Sequence, residues 1–189
     1  YRHYKSVYYI AKKEQMIRYL QNFPSSRLRR NRQSKWIRNL VSENSLSVND
    51  LIWPVFICDG INIKEEVISM PGVYRYSIDR LNEVTDQAVD NKINLIALFP
   101  NTPSEKKDKN GSEALNEDNL VCKALKKIKD QSLNLGIMCD VALDPYTSHG
   151  HDGLLSDTNQ ILNDESNEIL VKQSLLLADH KADVIAPSD

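Results

Sequence analysis

Four times between Leu51 and Ser188 the chain passes from a short apolar run into a polar stretch: LIWPVFI (51–57), NLIALF (94–99), LGIMCDVAL (135–143) and DVIAPS (183–188). Runs that are apolar at consecutive positions, not alternate ones, predict strands buried on both faces. Between the first two, Ser77 is a good N-cap residue, and Leu81, Val84 and Ala88 recur at helical spacing, which predicts a helix ending near Asp90. Asn116 is expected to cap a second helix, NEDNLVCKALKKIKDQ, with Glu117 and Asp118 in its first turn and lysines toward its end, as the helix dipole favours. Its apolar stripe is Val121, Leu125 and Ile128. A third helix is expected in NDESNEILVKQSLLLADHKA, capped by Asn163, opened by Asp164 and Glu165, and burying Val171, Leu175 and Ala178.

The order is therefore βαβαβαβ. Alternation of this kind predicts a parallel sheet with right-handed crossovers. No glycine-rich phosphate loop follows any strand, so a nucleotide-binding doubly wound sheet lacks its best sign. The polar chemistry sits instead where strands end, in PNTPSEKKDKNGSEA (100–114), DPYTSHGHDG and APSD. Active sites of TIM barrels are built at that rim, and the expected fold is an α/β chain carrying about the first four strands of a TIM (β/α)8 barrel. On this reading residues 1–39 are an N-terminal arm, and residues 40–189 are the first half of a barrel, truncated. Four such units leave two strand edges and an apolar inner face unpaired.

Composition changes the picture little: 189 residues with 41% hydrophobic and 26% charged content describe an ordinary globular chain. No apolar run approaches the roughly 18 residues of a membrane-spanning helix, and no secretory h-region opens the chain. A cytoplasmic protein without a membrane partner is expected. Cys58, Cys122 and Cys139 are odd in number and far apart, which argues for reduced thiols.

Charge changes it more. Residues 1–39 hold seven arginines and four lysines against the single Glu14, a net of +10 facing −12 in the remainder. A basic segment with interleaved tyrosines suits nucleic acid, an organellar transit peptide, or docking on an acidic subunit. Docking is preferred, because no RNA- or DNA-binding motif accompanies the charge, and no nucleic-acid partner is expected. The chain opens on Tyr1, while Met16 begins a more plausible start, so residues 1–15 are set apart as not necessarily native.

The densest chemistry lies in DVALDPYTSHGHDG (140–153), directly after an apolar run. Asp140, Asp144 and Asp152, with Ser188 at the last strand end, are the candidate rim residues: carboxylates there stabilise cations and accept protons. Turn-making is the competing explanation, since Asp144-Pro145 and Asp152-Gly153 are both common turn pairs. His149 and His151 have tempting ligand spacing, yet alternate residues need not converge on one ion, and hydrogen bonding within the loop is the preferred role. The lysines of the polar loop (Lys106, Lys107, Lys109) and of the helices (Lys123, Lys126, Lys127, Lys129, Lys172) are expected to be solvated charge.

Taken in order, RLRRNRQSKWIRNLV, LIWPVFICDG, SMPGVYRYSIDRL, ALFP, GSEALN, DVALDPYTSHGHDG, ILND and APSD resemble the porphobilinogen synthase (5-aminolevulinate dehydratase) family, from about Arg27 to Asp189. The resemblance implies a TIM barrel whose N-terminal arm wraps a partner subunit, in assemblies from dimer to octamer. It also implies a hydro-lyase that condenses two molecules of 5-aminolevulinate to porphobilinogen in haem biosynthesis. Zinc-dependent members carry three cysteines at the positions of Ala142, Asp144 and Asp152; none is present here, so the zinc-independent type, with no catalytic zinc and no metal ligand in this chain, is expected. Magnesium or potassium is expected only at sites outside these residues. The family's two Schiff-base lysines lie on later strands, no lysine here matches them, and the 189 residues alone are expected to be inactive. Two rival readings remain: a nucleic-acid-binding protein using the basic arm, and a non-catalytic assembly half-barrel.

Overall fold

The computed structural model describes Pro24, Arg27 and residues 29–188. The readings of residues 1–15 and of the start at Met16 lie outside the described residues. The chain divides into two units, Tyr1–Leu46 and Ser47–Asp189. In the first, a 3-10 turn (Arg30–Arg32) leads into the short helix α1 (Lys35–Leu40), and the Arg38 guanidinium donates to the Arg32 carbonyl at 2.9 Å. Trp36 and Leu40 are exposed.

The second unit is an α/β sheet of six strands, β1 (Ile52–Cys58), β2 (Lys64–Glu66), β3 (Tyr74–Ser77), β4 (Leu95–Asn101), β5 (Gly136–Val141) and β6 (Val184–Pro187), in the order β2-β3-β1-β4-β5-β6. β1, β4, β5 and β6 are parallel neighbours in chain order, as expected. The helices between them are α2 (Leu81–Asp90), α3 (Leu120–Lys129) and α4 (Asn163–Asp179). Alternate strand residues divide the faces. Val55, Ile57, Ile96, Leu98, Ile137, Cys139 and Val141 form one core with Leu81, Val84 and Ala88 of α2 and Val121, Leu125 and Ile128 of α3. Gly136 permits the closeness of β4 and β5, since a Cβ there would lie 2.9 Å from the Leu95 side chain.

Three local expectations are corrected. Ser77 stands at the N-cap of a 3-10 turn (Ile78–Arg80) that precedes α2, but makes no side-chain cap bond: it ends β3, and its hydroxyl accepts the Ile63 N–H at 2.8 Å. Asn119, not Asn116, caps α3 by accepting the Cys122 N–H at 2.9 Å; Asn116 makes a turn to the Asp118 N–H, and Glu117 and Asp118 precede the helix. Most consequential is α4, where Val171, Leu175 and Ala178 are exposed and the buried residues are Ser166, Gln173 and Leu177. Gln173 is held by donating to the Ala142 carbonyl at 3.3 Å. Two of those three buried residues are polar, so an apolar-only pattern selects the wrong face.

The β2–β3 hairpin was not foreseen. Its connection turns at Pro71-Gly72, with Gly72 at φ +80°, and closes with Val67 N–H to the Val73 carbonyl at 2.8 Å. β3 then pairs parallel to β1 through Phe56–Arg75, Ile57–Tyr76 and Cys58–Ser77.

The shifted cap is testable by urea unfolding. Asn119→Ala should lose about 1–2 kcal/mol, and Asn116→Ala only a few tenths, because only the first leaves a helix-end N–H unpaired. Equal losses would contradict the assignment.

Candidate active site

The register of the parallel strands decides which side chains meet beyond their C-terminal ends. Asp140 of β5 lies opposite Ala186 of β6, so Ser188, two residues on, stands on the same side; its hydroxyl donates to Asp140 Oδ1 at 2.7 Å. Phe56 and Phe99, paired across β1 and β4, stack obliquely with ring centroids 5.8 Å apart. Together with Pro100, Lys107, Asp144, Pro145 and Asp152, these residues line one open hollow of about 500 Å³. All four candidate rim residues, Asp140, Asp144, Asp152 and Ser188, are thus brought together.

Two loops form the wall. The loop after β5 turns at once, with the Tyr146 and Thr147 N–H groups both donating to the Leu143 carbonyl at 2.9 Å, which sets Asp144 at the bend. Turn-making and placement at the rim are the same event here. Leu143 and Tyr146 pack with Ala114 from the loop after β4, joined by Leu154, Ile169 and Leu170. The Asp108 N–H donates to the Tyr146 carbonyl at 3.3 Å and the Ser148 N–H to the Asp108 carbonyl at 2.8 Å, a parallel bridge between the loops. Farther on, Gly153 presses against α4, where a Cβ would lie 2.9 Å from Ser166 Oγ, and that hydroxyl accepts the Leu154 N–H at 2.9 Å.

The histidines belong to the loop. The His151 N–H donates to His149 Nδ1 at 3.2 Å, Thr147 Oγ1 donates to the His151 carbonyl at 3.0 Å, and neither ring lines the hollow. Ala142 is an apolar residue 2% exposed. Among the described residues no three His, Cys, Asp or Glu side chains are grouped to hold a metal ion.

Electrostatically the hollow is acidic. Burial pushes the Asp144 carboxyl above the usual aspartate range, Asp152 and Asp140 add to the rise, and Lys107 opposes it. The lysine expectation is corrected at this point. Lys107 is half-buried and lines the hollow, Lys106 pairs with Asp59 at 2.9 Å, and Lys129 pairs with Asp183 at 2.5 Å. Sequence reasoning also missed Phe56, Phe99, Pro100 and Pro145 as lining residues. Alternation along β1 and β4 signals the two rings; nothing local signals Lys107.

A family model described as delta-aminolevulinic acid dehydratase matches residues 25–189. The chain belongs to that family. It is 51% identical over 163 residues to the delta-aminolevulinic acid dehydratase of Bradyrhizobium diazoefficiens, covering 86% of this chain and 46% of that protein. The Chlamydia pneumoniae protein of the same name is 43% identical over 165 residues, covering 87% and 49%. Among solved structures, the Toxoplasma gondii delta-aminolevulinic acid dehydratase in complex with the reaction product porphobilinogen superposes with a TM-score of 0.79 at 36% identity, covering 87% of this chain and 47% of that one. The chain spans about half the length of the curated relatives it matches. Its parallel sheet is the corresponding part of the family's TIM barrel. None of the described helices is long and apolar enough to cross a membrane.

Asp144 supports a pH prediction whose sign follows from its raised folded-state value. As pH rises past the ordinary aspartate range, the unfolded chain releases this proton first, so the native state loses stability until the folded carboxyl also ionises. Asp144→Asn should therefore be more stable than wild type at pH 7 and equal to it at pH 3, measured by urea midpoints. A variant less stable at both pH values would contradict this.

Proposed function

We propose that this chain supplies the acidic rim of a porphobilinogen synthase, which condenses two molecules of 5-aminolevulinate to porphobilinogen with loss of water. The observation that carries this reading is the convergence of Asp140, Asp144, Asp152 and Ser188 in one hollow at the C-terminal end of a parallel sheet, in a chain of this family. Each substrate is an amino-ketone bearing an ammonium group. The carboxylates attract that group, the Asp140–Ser188 hydrogen bond fixes one of them in orientation, and the Phe56–Phe99 pair offers an apolar floor for the carbon skeleton. Asp144, whose carboxyl burial pushes above the usual aspartate range, is the carboxylate best suited to accept a proton from the ammonium.

Activating the carbonyl calls for an electrophilic form such as a lysine Schiff base, and we assign that role to no lysine of these 189 residues. Zinc does not fit: Ala142 has no ligand atom, and Asp144 and Asp152 offer hard oxygens where soft thiolates select zinc. No step is assigned to a metal, and magnesium or potassium belongs to residues outside this segment. The cytoplasm is the proposed location.

Purified 1–189 incubated with 5-aminolevulinate and borohydride should show no stoichiometric lysine adduct by mass spectrometry and no porphobilinogen by colorimetry. A protein extended through the family's later strands should show both. An adduct on Lys107 of the short chain, with product formed, would overturn the assignment; no product from the extended protein would overturn the function.

The basic arm is proposed to dock on a second subunit, given its +10 charge against −12 in the remainder. Deleting residues 1–34 from the complete protein should lower its oligomer size in ultracentrifugation. An unchanged assembly would refute the docking role.

A further inference from the structure

The loop after β4 carries Lys106 and Lys107 side by side, and the structure gives them opposite employment. Lys106 Nζ donates to Asp59 Oδ2 at 2.9 Å and takes no part in the hollow. Lys107 lines it. Lys109, two residues on, is exposed, so lining the hollow is not a property of the whole basic run.

Lys107 is placed by the backbone. The next residue, Asp108, makes the two-bond bridge to Tyr146 and Ser148, so the lysine stands immediately before a clamp onto the loop that carries Asp144 and Asp152. The Asp108 carboxylate stiffens the same turn by accepting the Asn110 and Ser112 N–H groups at 2.9 and 3.0 Å. Among the described residues Lys107 closes no direct ion pair, so its ammonium acts across the hollow and leaves the carboxylates open to a ligand.

The charged groups facing Asp144 are Asp140 from β5, Asp152 from its own loop and Lys107 from the facing loop. Lys107 is the one cation lining the hollow among the described residues. We propose that Lys107 is a positioning residue of this site: clamped on the facing wall, it is the counter-charge against which the three carboxylates are gathered and Asp144 is kept ready to accept a proton. This rests on the functional reading above and adds to it a residue that acts through Asp144. With Lys107 removed, burial and two like charges act on Asp144 unopposed, and its carboxyl takes up a proton at higher pH. A protonated acid cannot serve as the acceptor.

The test measures kcat and KM against pH for the complete protein as its gene encodes it, with 5-aminolevulinate as substrate, for wild type and for Lys107→Met, Lys107→Gln, Lys107→Arg and Lys106→Met. Lys107→Met and Lys107→Gln should move the acid limb of the kcat/KM profile to higher pH, with a several-fold loss on that limb that disappears on the alkaline side of the profile. Lys107→Arg should restore the wild-type limb, and Lys106→Met should leave it unmoved. A purely structural role predicts a loss independent of pH. If one neutral variant does not fold, the other carries the comparison. A wild type that forms porphobilinogen while Lys107→Met or Lys107→Gln keeps the same acid limb overturns this proposal alone. A wild type that forms none overturns the functional reading, and this proposal with it.

Discussion

Tyr146 is 3% exposed, in one cluster with Leu143 and Ala114 against Ile169 and Leu170 of α4, and this small apolar cluster turns two polar loops into a wall. Loops of this composition gain little by ordering themselves, since each fixed residue costs about 1–2 kcal/mol of backbone entropy. Burying one aromatic ring returns about 1.5–3 kcal/mol and seats the Asp108 bridge beside it. Burial also pushes the Tyr146 phenol far above its ordinary value, so it stays neutral and introduces no further charge beneath the carboxylates. Asp144, Asp152 and Lys107 have defined positions because this cluster exists.

The sheet performs a sorting that the rim depends on. Successive side chains point to opposite faces, so Cys139 enters the core beneath the helices while Asp140, its neighbour, enters the hollow. Burial pushes the Cys139 thiol up to about 12 and the Cys122 thiol up to about 11, and both stay protonated and inert. Cys139 and Cys122 thus lie in the core and not in the hollow, where the carboxylates are crowded instead. That crowding costs stability at neutral pH, as a site that concentrates like charge must.

Much of this was legible in the chain. The four apolar runs became the four consecutive parallel strands within a residue or two, and the stripes Leu81–Val84–Ala88 and Val121–Leu125–Ile128 are buried as read, because local period and burial agree when one face of a helix is apolar. The caps were misplaced by local competition: Ser77 found a strand partner, and Asn116 spent its side chain on a turn three residues before the true cap. The hairpin was missed, because short exposed strands such as Lys64–Glu66 carry no apolar signature and a Pro-Gly turn alone does not name the strands beside it.

The sequence by itself determined the order of elements, the parallel sheet and the strand-end placement of Asp140, Asp144, Asp152 and Ser188, since each follows from periodicity and polarity within a few residues. Tertiary structure alone decided three things: which face of α4 is buried, that β3 pairs with β1, and that Lys107 rather than Lys106 lines the hollow with the carboxylates. α4 is apolar on more than one side, and its buried stripe includes Ser166 and Gln173, so only the loop and strand that lie against it select the face. Lys106 and Lys107 are chemically identical neighbours, and what separates them is a backbone bridge to a loop almost forty residues away, a contact that exists only once the two strand ends have been brought side by side.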